Sequence, residues 1–567
     1  MNVVLVLPGS GVRLSSPTSL AGAEHLGLGS IAAYLRSLGH HVTILNFQVE
    51  ESLASSEDAA VYSADRIISY DPDIIGMSIT GLTIAQALRI TTRIKEEKPD
   101  LHVCWGSHQA SSCASDILGN ESCVDTIVAG DGEIPMQHLL EVIGDGGDFS
   151  QVPGLWYRDN GSVKMTGEPP EPPLDSLRWP ARDTLEYLLR RNICIKDARI
   201  STSRGCPFKC SFCVYPALGY LKRWRARKPS DIIEEIKHLA TSYGITHFWF
   251  SDDNFILPNR KSRQRVEELA DKLIDEDLGI TYRVLMRADA ADGQGKLLAK
   301  LARSGMTCVY MGIESGSPRR LKYFEKNTGP DVYRRAIKLV RDHGIGLQIG
   351  FIMFDPMTSW DDLEEDTRFL HDIQEMYLYT NYCQVLLTYP GTLFASRLVD
   401  KGLLHKGFNY KSEYRDYIYE DESIGKFADI IESANTKEQI ELDDFFRRLR
   451  MIDVPGLFRG ADKAIAGRIN RDVEDCTLEL NEKAYSMFTK LLTIARTSGN
   501  HEELSGLLHT HYEFTFNRAK ELFLLFKQYP EEVIRDLSAI RGIKGCESRN
   551  FQFYENIVQG RGASLRE

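Results

Sequence analysis

The sequence predicts an α/β protein. It reads as an N-terminal doubly wound parallel sheet, a central series of six β–α units, and a helical C-terminal segment. Three observations lead there. Short apolar or β-branched runs alternate with helical patterns five times within residues 1–145. The same rhythm restarts at residue 196 and continues to residue 400. Beyond residue 401 glycine thins out and long patterns of 3.6-residue period take over.

The bulk composition narrows the function classes. A chain of 567 residues accommodates about two to four domains. Its 43% hydrophobic and 26% charged content is that of a soluble globular protein. A net charge of −12 argues against a nucleic-acid surface, which needs a basic patch. It leaves room for a local basic pocket. No apolar run is long enough to span a bilayer, so no membrane partner is expected. Residues 2–7 carry no basic flank, and Pro8-Gly9 follows at once. They read as a buried strand and not as a signal peptide. The 11 cysteines are scattered, apart from one triplet, and form no disulfide framework. A reducing cytoplasm is the expected compartment.

In residues 1–145 the strand candidates are 3–7, 42–46, 74–79, 102–105 and 126–129. Helical patterns at 26–38, 59–68, 84–96, 111–117 and 134–143 separate them. Doubly wound sheets bind ligands beyond the carboxyl ends of their strands. The loops there are Pro8-Gly-Ser-Gly11, Ser78-Ile-Thr80-Gly81, Gly106-Ser107-His108 and Gly130-Asp-Gly132-Glu133. Small residues let the backbone approach a ligand closely. Gly9-Ser-Gly11 is not a dinucleotide fingerprint, because Leu14 stands where the third glycine belongs and Pro17 follows. Cys104, Cys113 and Cys123 are widely spaced and read as ordinary buried thiols.

Residues 146–195 read as a linker, because five prolines fall within 167–180. In residues 196–400 the strand candidates are 199–203, 247–250, 282–286, 308–313, 347–354 and 383–387. Helical runs at 230–242, 261–275, 295–304 and 332–343 lie between them.

The first of these strands leads into Cys206-x₃-Cys210-x₂-Cys213. Three thiols so close together read as one metal site. Thiolate selects zinc, copper(I) or an iron–sulfur cluster. A zinc site would show a fourth ligand nearby, yet the next histidine is His238 and the next cysteine Cys308. Three ligands suit a four-iron cluster with one iron left open. Gly205 and Pro207 put the thiols on a loop at a strand end, where catalytic groups of α/β barrels gather. Polar groups mark the later strand ends: Ser251-Asp252-Asp253-Asn254, Arg287, Gly312-Ile-Glu314-Ser315, and Pro390-Gly-Thr392. Arg223, Arg225 and Arg227 follow the cysteine loop. They are either anchors for an anionic group or solvated.

Residues 401–567 show helical patterns at 441–451, 478–495, 512–526 and 531–540. They are expected to cap the barrel mouth. His509 and His511 would share one side of an extended segment, and a third metal ligand is missing. Cys476 and Cys546 are too few for an auxiliary cluster.

The cysteine loop, with aromatic Phe212 before its third cysteine, resembles the cluster-binding loop of the radical S-adenosylmethionine (SAM) enzymes. The N-terminal segments Leu26-Gly-Leu-Gly-Ser-Ile-Ala-Ala-Tyr-Leu35, Asp73-Ile-Ile-Gly-Met-Ser78, Gly106-Ser-His-Gln109 and Val128-Ala-Gly-Asp-Gly-Glu133 resemble a cobalamin-binding domain. Together they resemble the cobalamin-dependent (class B) radical SAM family. The D-x-H-x-x-G motif of other cobalamin proteins is missing, so neither His25 nor His108 is expected on cobalt.

The resemblance implies a cobalamin-binding type of sheet and a partial (β/α)₆ barrel. It implies three cofactors: a [4Fe-4S] cluster on Cys206, Cys210 and Cys213, SAM, and cobalamin in its methylcobalamin form. SAM contacts would come from Phe212, Asp252, Asp253, Arg287, Glu314 and Ser315. Cobalamin contacts would come from Ser78, Thr80, Gly106, Ser107, Gly130, Gly132 and Glu133. The implied reaction is methylation of an unactivated carbon of a small molecule through a 5′-deoxyadenosyl radical. An external donor such as flavodoxin or ferredoxin would supply electrons. Cyclisation or rearrangement without methyl transfer stays open, as does methylthiotransfer.

Overall fold

The computed structural model describes residues 1–9, 22–53, 58–219, 223–412, 415–450 and 463–526. The chain divides into two compact units. One holds residues 1–254 with 388–416; the other holds 255–387 with residues from 417 onward.

The first unit is built on a sheet. Strands β1 (Asn2–Leu7), β2 (His41–Asn46), β3 (Ile74–Ser78), β4 (His102–Gly106) and β5 (Thr126–Val128) are parallel, in the order β2-β1-β3-β4-β5. The chain leaves β2 on one side of β1 and returns on the other, which creates the switch point of a doubly wound sheet. Strand β1 shows why this sequence does so. Val3, Leu5 and Leu7 enter one core with Leu35 and Met136, while Val4 and Val6 enter the opposite core with Ile90 and Trp105. A strand buried on both faces reads as an unbroken apolar run. Each such side chain contributes about 2 kcal/mol.

The helices Leu26–Ser37, Ala59–Ile68, Ile84–Glu97 and Glu133–Asp145 lie where their periodicity puts them. The pattern at 111–117 divides into two short helices, His108–Ser112 and Ala114–Asn120. Ser10 and Gly11 of the first loop lie outside the described residues.

Residues 146–195 are not a plain linker. Strand β6 (Leu155–Asp159) pairs antiparallel with β5, and β7 (Ser162–Met165) pairs with β6. The sheet thereby reaches seven strands among the described residues. Leu155 and Tyr157 enter one core while Trp156 and Val163 pack on the other, a period-2 pattern hidden by the neighbouring prolines. Further on, buried Arg182 donates to Glu24 at 2.8 Å and to Glu235 at 2.7 Å.

Strand β8 (Asp197–Ile200) ends earlier than expected. Strand β9 (Ser203–Arg204) pairs antiparallel with β10 (Arg225–Ala226), and β8 pairs in parallel with β11 (His247–Phe250). The cysteine loop is the connection between β9 and β10.

In the second unit β12 (Thr281–Met286), β13 (Met306–Glu314) and β14 (Gly346–Phe351) are adjacent parallel strands. The strand expected at 383–387 is reduced to one bridge between Phe354 and Val385. The tail helices are Lys437–Leu449, Lys463–Thr497 and His501–Phe526. Leu442, Phe446, Ile469 and Leu480 among them pack with Tyr377 and Leu378. The expected helix at 531–540 and Cys546 lie outside the described residues. His509 and His511 sit on a helix and not on an extended segment, so they point in different directions. His509 pairs with Glu513 at 3.3 Å, and His511 Nε2 lies 3.5 Å from Tyr382 Oη.

Candidate cofactor site

The carboxyl ends of β3, β4 and β5 border a cavity of about 460 Å³ within the first unit. Six of the seven residues expected to meet cobalamin line it: Ser78, Gly106, Ser107, Gly130, Gly132 and Glu133. Thr80 does not. Its N–H donates to Thr83 Oγ1 at 2.9 Å, closing the turn ahead of the next helix. Residues that flank the three cysteines, and the end of β11, line the same cavity: Ser203, Arg204, Gly205, Tyr215 and Asp253. Gly130 supplies a left-handed turn at φ 73° without a Cβ penalty. Ser107 adopts φ 87°, which costs a side-chain-bearing residue about 1–2 kcal/mol.

His25 caps the helix Leu26–Ser37. Its Nδ1 accepts from Leu28 N–H at 3.0 Å, so the ring proton sits on Nε2 and is donated to Ser78 Oγ at 2.8 Å. Burial lowers its pKa to about 4. With both nitrogens engaged, the neutral ring has no lone pair left for a metal. His108 lies against the Tyr215 ring, 4.5 Å between centroids, and burial lowers its pKa to about 4 as well.

Arg204, just before the first cysteine loop residues, reaches the cobalamin-type loop. It donates to Glu133 at 2.9 Å and lies 3.3 Å from Asp131. Ser30 Oγ donates to the same Glu133 oxygen at 2.6 Å. Burial works to raise the Glu133 carboxyl, but the guanidinium and the hydroxyl outweigh it and hold it below its usual range. Arg225 pairs with Asp131 at 2.8 Å and donates to Pro172 O at 2.9 Å. Arg227 is buried against Asp231 and Glu235. Both arginines are therefore structural ties, and not solvated or waiting for an anion; Arg223 is exposed, 3.7 Å from Glu171.

Among the described residues, the buried atoms of the cavity lining without a hydrogen-bond partner include Glu24 Oε1 and the pair Glu133 Oε2 and Trp105 Nε1. One accepts and the other donates. Cobalamin, with its rim of amide side chains, fits such a pair.

The cysteine loop is shaped by hydrogen bonds. Cys213 N–H donates to Cys210 O at 3.1 Å. Asn254 Nδ2 donates to Cys206 Sγ at 3.1 Å, and the Tyr215 N–H donates to the Cys213 sulfur. Donors aimed at sulfur tune an iron–sulfur cluster. Burial, reinforced by the neighbouring Cys210 and Cys206, pushes the Cys213 thiol up to about 12. Among the described residues no three His, Cys, Asp or Glu side chains converge on a single ion. A cubane asks for something else, one thiolate per iron.

Of the residues expected at SAM, Phe212 is half-buried within the loop. Asp252 accepts from the N–H groups of Thr202 and Ser203, each at 2.7 Å. Asp253 accepts from Gly205 N–H at 3.2 Å and from the Tyr215 hydroxyl. Arg287, Glu314 and Ser315 belong to the second unit. Arg287 donates to Asp289 at 2.9 Å and to Lys326 O at 2.8 Å. Glu314, at φ 69°, accepts from Lys326 Nζ at 3.1 Å. Ser315 is fully buried and donates to Asp366 at 2.7 Å.

Sequence reasoning gave no role to Tyr215, Arg204, Trp105 or Asn254. For Tyr215 and Arg204 the signal was position, one on each flank of the cysteines. Asn254 stood within the polar run at a strand end, and Trp105 left no signal, since an apolar strand looks ordinary in sequence.

Comparison with known proteins agrees with this geometry. Residues 200–370 match the radical SAM superfamily, and residues 20–140 match the B12 binding domain. An uncharacterised methyltransferase of Pyrococcus horikoshii is 28% identical over 409 residues, 71% of this chain and 84% of the relative. An anaerobic magnesium-protoporphyrin IX monomethyl ester cyclase of Synechocystis is 29% identical, over 56% of this chain and 62% of its own. A hopanoid C-3 methylase of Methylococcus capsulatus is 27% identical, over 65% and 67%. The solved structure of the cobalamin-dependent SAM radical enzyme OxsB, with aqua-cobalamin and SAM bound, superposes with a TM-score of 0.70 at 20% identity. That match covers 99% of this chain and 83% of OxsB, and it shows the shared fold.

Sheet, cysteine loop and both domain matches define a radical SAM enzyme. The chain belongs to the cobalamin-dependent radical SAM family. Its cofactors are a [4Fe-4S] cluster, SAM and cobalamin. No helix among the described residues is long and apolar enough to cross a membrane.

Proposed function

We propose that the chain methylates an unactivated carbon of a small-molecule substrate, using SAM and cobalamin. The observation that carries this reading is that one cavity of the first unit is lined both by the cobalamin-type loops and by Ser203, Arg204, Gly205 and Tyr215, which flank the three cysteines. Likeness to an uncharacterised methyltransferase and to a hopanoid C-3 methylase supports it. When bound, the cluster supplies the electron that opens the SAM sulfonium, and cobalamin supplies the methyl group.

The chain's residues hold and shield these groups. Cys206, Cys210 and Cys213 would take the cluster, and Asn254 and the Tyr215 N–H donate to the Cys206 and Cys213 sulfurs. Asp253 accepts the SAM ammonium, while Asp252 fixes the loop beneath it through two backbone N–H groups. Phe212 adds a SAM contact from the same unit. Ser78, Gly106, Ser107, Gly130, Gly132 and Glu133 would border the corrin, with Glu133 Oε2 and Trp105 Nε1 available to its amides. Flavodoxin or ferredoxin in the cytoplasm supplies reducing equivalents.

Cyclisation without methyl transfer is the second reading, favoured by the likeness to the cyclase. Methylthiotransfer is disfavoured. It needs a second cluster, and Cys104, Cys113 and Cys123 are buried in the apolar cores of the sheet.

The test is anaerobic reconstitution with iron, sulfide and hydroxocobalamin, then turnover with SAM and a reductant. Methyl transfer yields both 5′-deoxyadenosine and S-adenosylhomocysteine, with about four irons and one corrinoid per chain. Release of 5′-deoxyadenosine alone would move the assignment to cyclisation. Zinc in the loop, or iron without SAM cleavage, would end it.

A further inference from the structure

Tyr215 is in contact with each of the three cofactor regions, and nothing in the family pattern assigns it a role. Its N–H donates to the Cys213 sulfur. Its hydroxyl is hydrogen-bonded to Asp253. Its ring lies 4.5 Å from that of His108, which stands on the β4 loop of the cobalamin-type sheet. All of these residues belong to one compact unit, and Tyr215, His108 and Asp253 all line its cavity.

The Asp253 contacts are informative because they come from both ends of the cysteine loop. Gly205 N–H, just before Cys206, donates at 3.2 Å, and Tyr215 Oη donates from just after Cys213. A carboxylate that accepts two fixed donors is locked in orientation, and its remaining lone pairs keep one direction. Meanwhile the ring of Tyr215 and the imidazole of His108 form an aromatic wall between the loop and the sheet, at ring spacing that is favourable in itself.

We propose that Tyr215 is a positioning residue with two separable jobs. Its hydroxyl aims Asp253 at the SAM ammonium, and its ring, through His108, sets the wall of the cobalamin chamber. This rests on the reading that Asp253 receives SAM. The two jobs use different atoms, so substitutions divide them. Tyr215→Phe removes the hydroxyl and keeps the ring. His108→Ala removes the ring partner and leaves Asp253 and its donors in place.

The experiment uses the reconstituted full chain and two binding readouts that need no turnover. SAM binding is read from the change it makes in the spin-resonance signal of the reduced cluster, and hydroxocobalamin binding from its visible spectrum. Tyr215→Phe is expected to weaken SAM by about tenfold, the loss of one hydrogen bond to a charged group, with hydroxocobalamin affinity kept within about twofold. His108→Ala is expected to show the reverse, weaker hydroxocobalamin and unchanged SAM. Joint loss of both affinities in either variant would reduce Tyr215 to a scaffold residue and overturn the proposal. So would wild-type SAM affinity in Tyr215→Phe. Asp253→Asn separates the levels. If it binds SAM normally, the SAM assignment itself is wrong; if it binds weakly while Tyr215→Phe does not, only the role of Tyr215 falls.

Discussion

Arg204 neutralises two carboxylates that the fold has taken out of water. Glu133 is 1% exposed, and Asp131 also faces Arg225. Replacing Arg204 by Met leaves Glu133 charged, buried and short of its cation. We expect a loss of about 3 kcal/mol, the usual cost of orphaning one member of a buried pair. Thermal unfolding of the cobalamin-free chain checks it; a loss under about 1 kcal/mol would mean that water replaces the guanidinium. Cys210→Ala should lose bound iron and all SAM cleavage, and retained turnover would refute the cluster assignment. At this scale the cysteines were legible because their spacing is itself the signal. The pairing of Arg204 with Glu133 was not, because it joins residues far apart in sequence through an approach that no local pattern encodes.

The helix Leu26–Ser37 contains Gly27 and Gly29, a poor choice by intrinsic propensity. Packing explains Gly29. A Cβ there would lie 2.7 Å from the Ala181 carbonyl oxygen and 3.2 Å from Pro180 Cβ. The Gly29 carbonyl also accepts from Ala181 N–H at 2.9 Å. Gly29→Ala would gain about 1 kcal/mol of helix propensity but would push the helix off a backbone segment that cannot yield. We expect a net loss of about 1–2 kcal/mol and weaker cobalamin binding, measured by urea unfolding and spectral titration. A stabilised variant would show that residues 180–181 move aside. The elements of the first sheet were readable because burial on both faces writes long apolar runs. The hairpin β6–β7 was not, since its short alternating strands sit beside prolines that signal a linker. The strand at 383–387 was overread: its apolar run is a buried connection that pairs at one bridge only.

Across the whole chain, acid should act through buried histidines. Burial lowers the His102 pKa to about 4, against an ordinary value of 6.5. Its Nε2 lies 2.9 Å from Thr126 Oγ1. A depressed folded value means stability that is complete above pH 6.5 and is lost as pH falls toward 4. The loss is about 2 kcal/mol at pH 5 from this group. His25 and His108 shift in the same direction and add to it. Urea unfolding midpoints of the cobalamin-free chain should therefore fall between pH 7 and pH 5, and His102→Gln should flatten that slope. An equal slope in the variant would assign the acid sensitivity elsewhere. Net charge and composition argued against a nucleic-acid surface, but they carry no information on how buried groups titrate, which depends on tertiary contacts.

Asp253 holds the cysteine loop on either side of the three thiols, at Gly205 and Tyr215, through the protein's own atoms. Ties made by the protein's own atoms do not depend on iron. Air that strips the iron should leave a chain that is inactive yet still folded, and recovery after oxidative exposure becomes a matter of resupply, with no need for new synthesis.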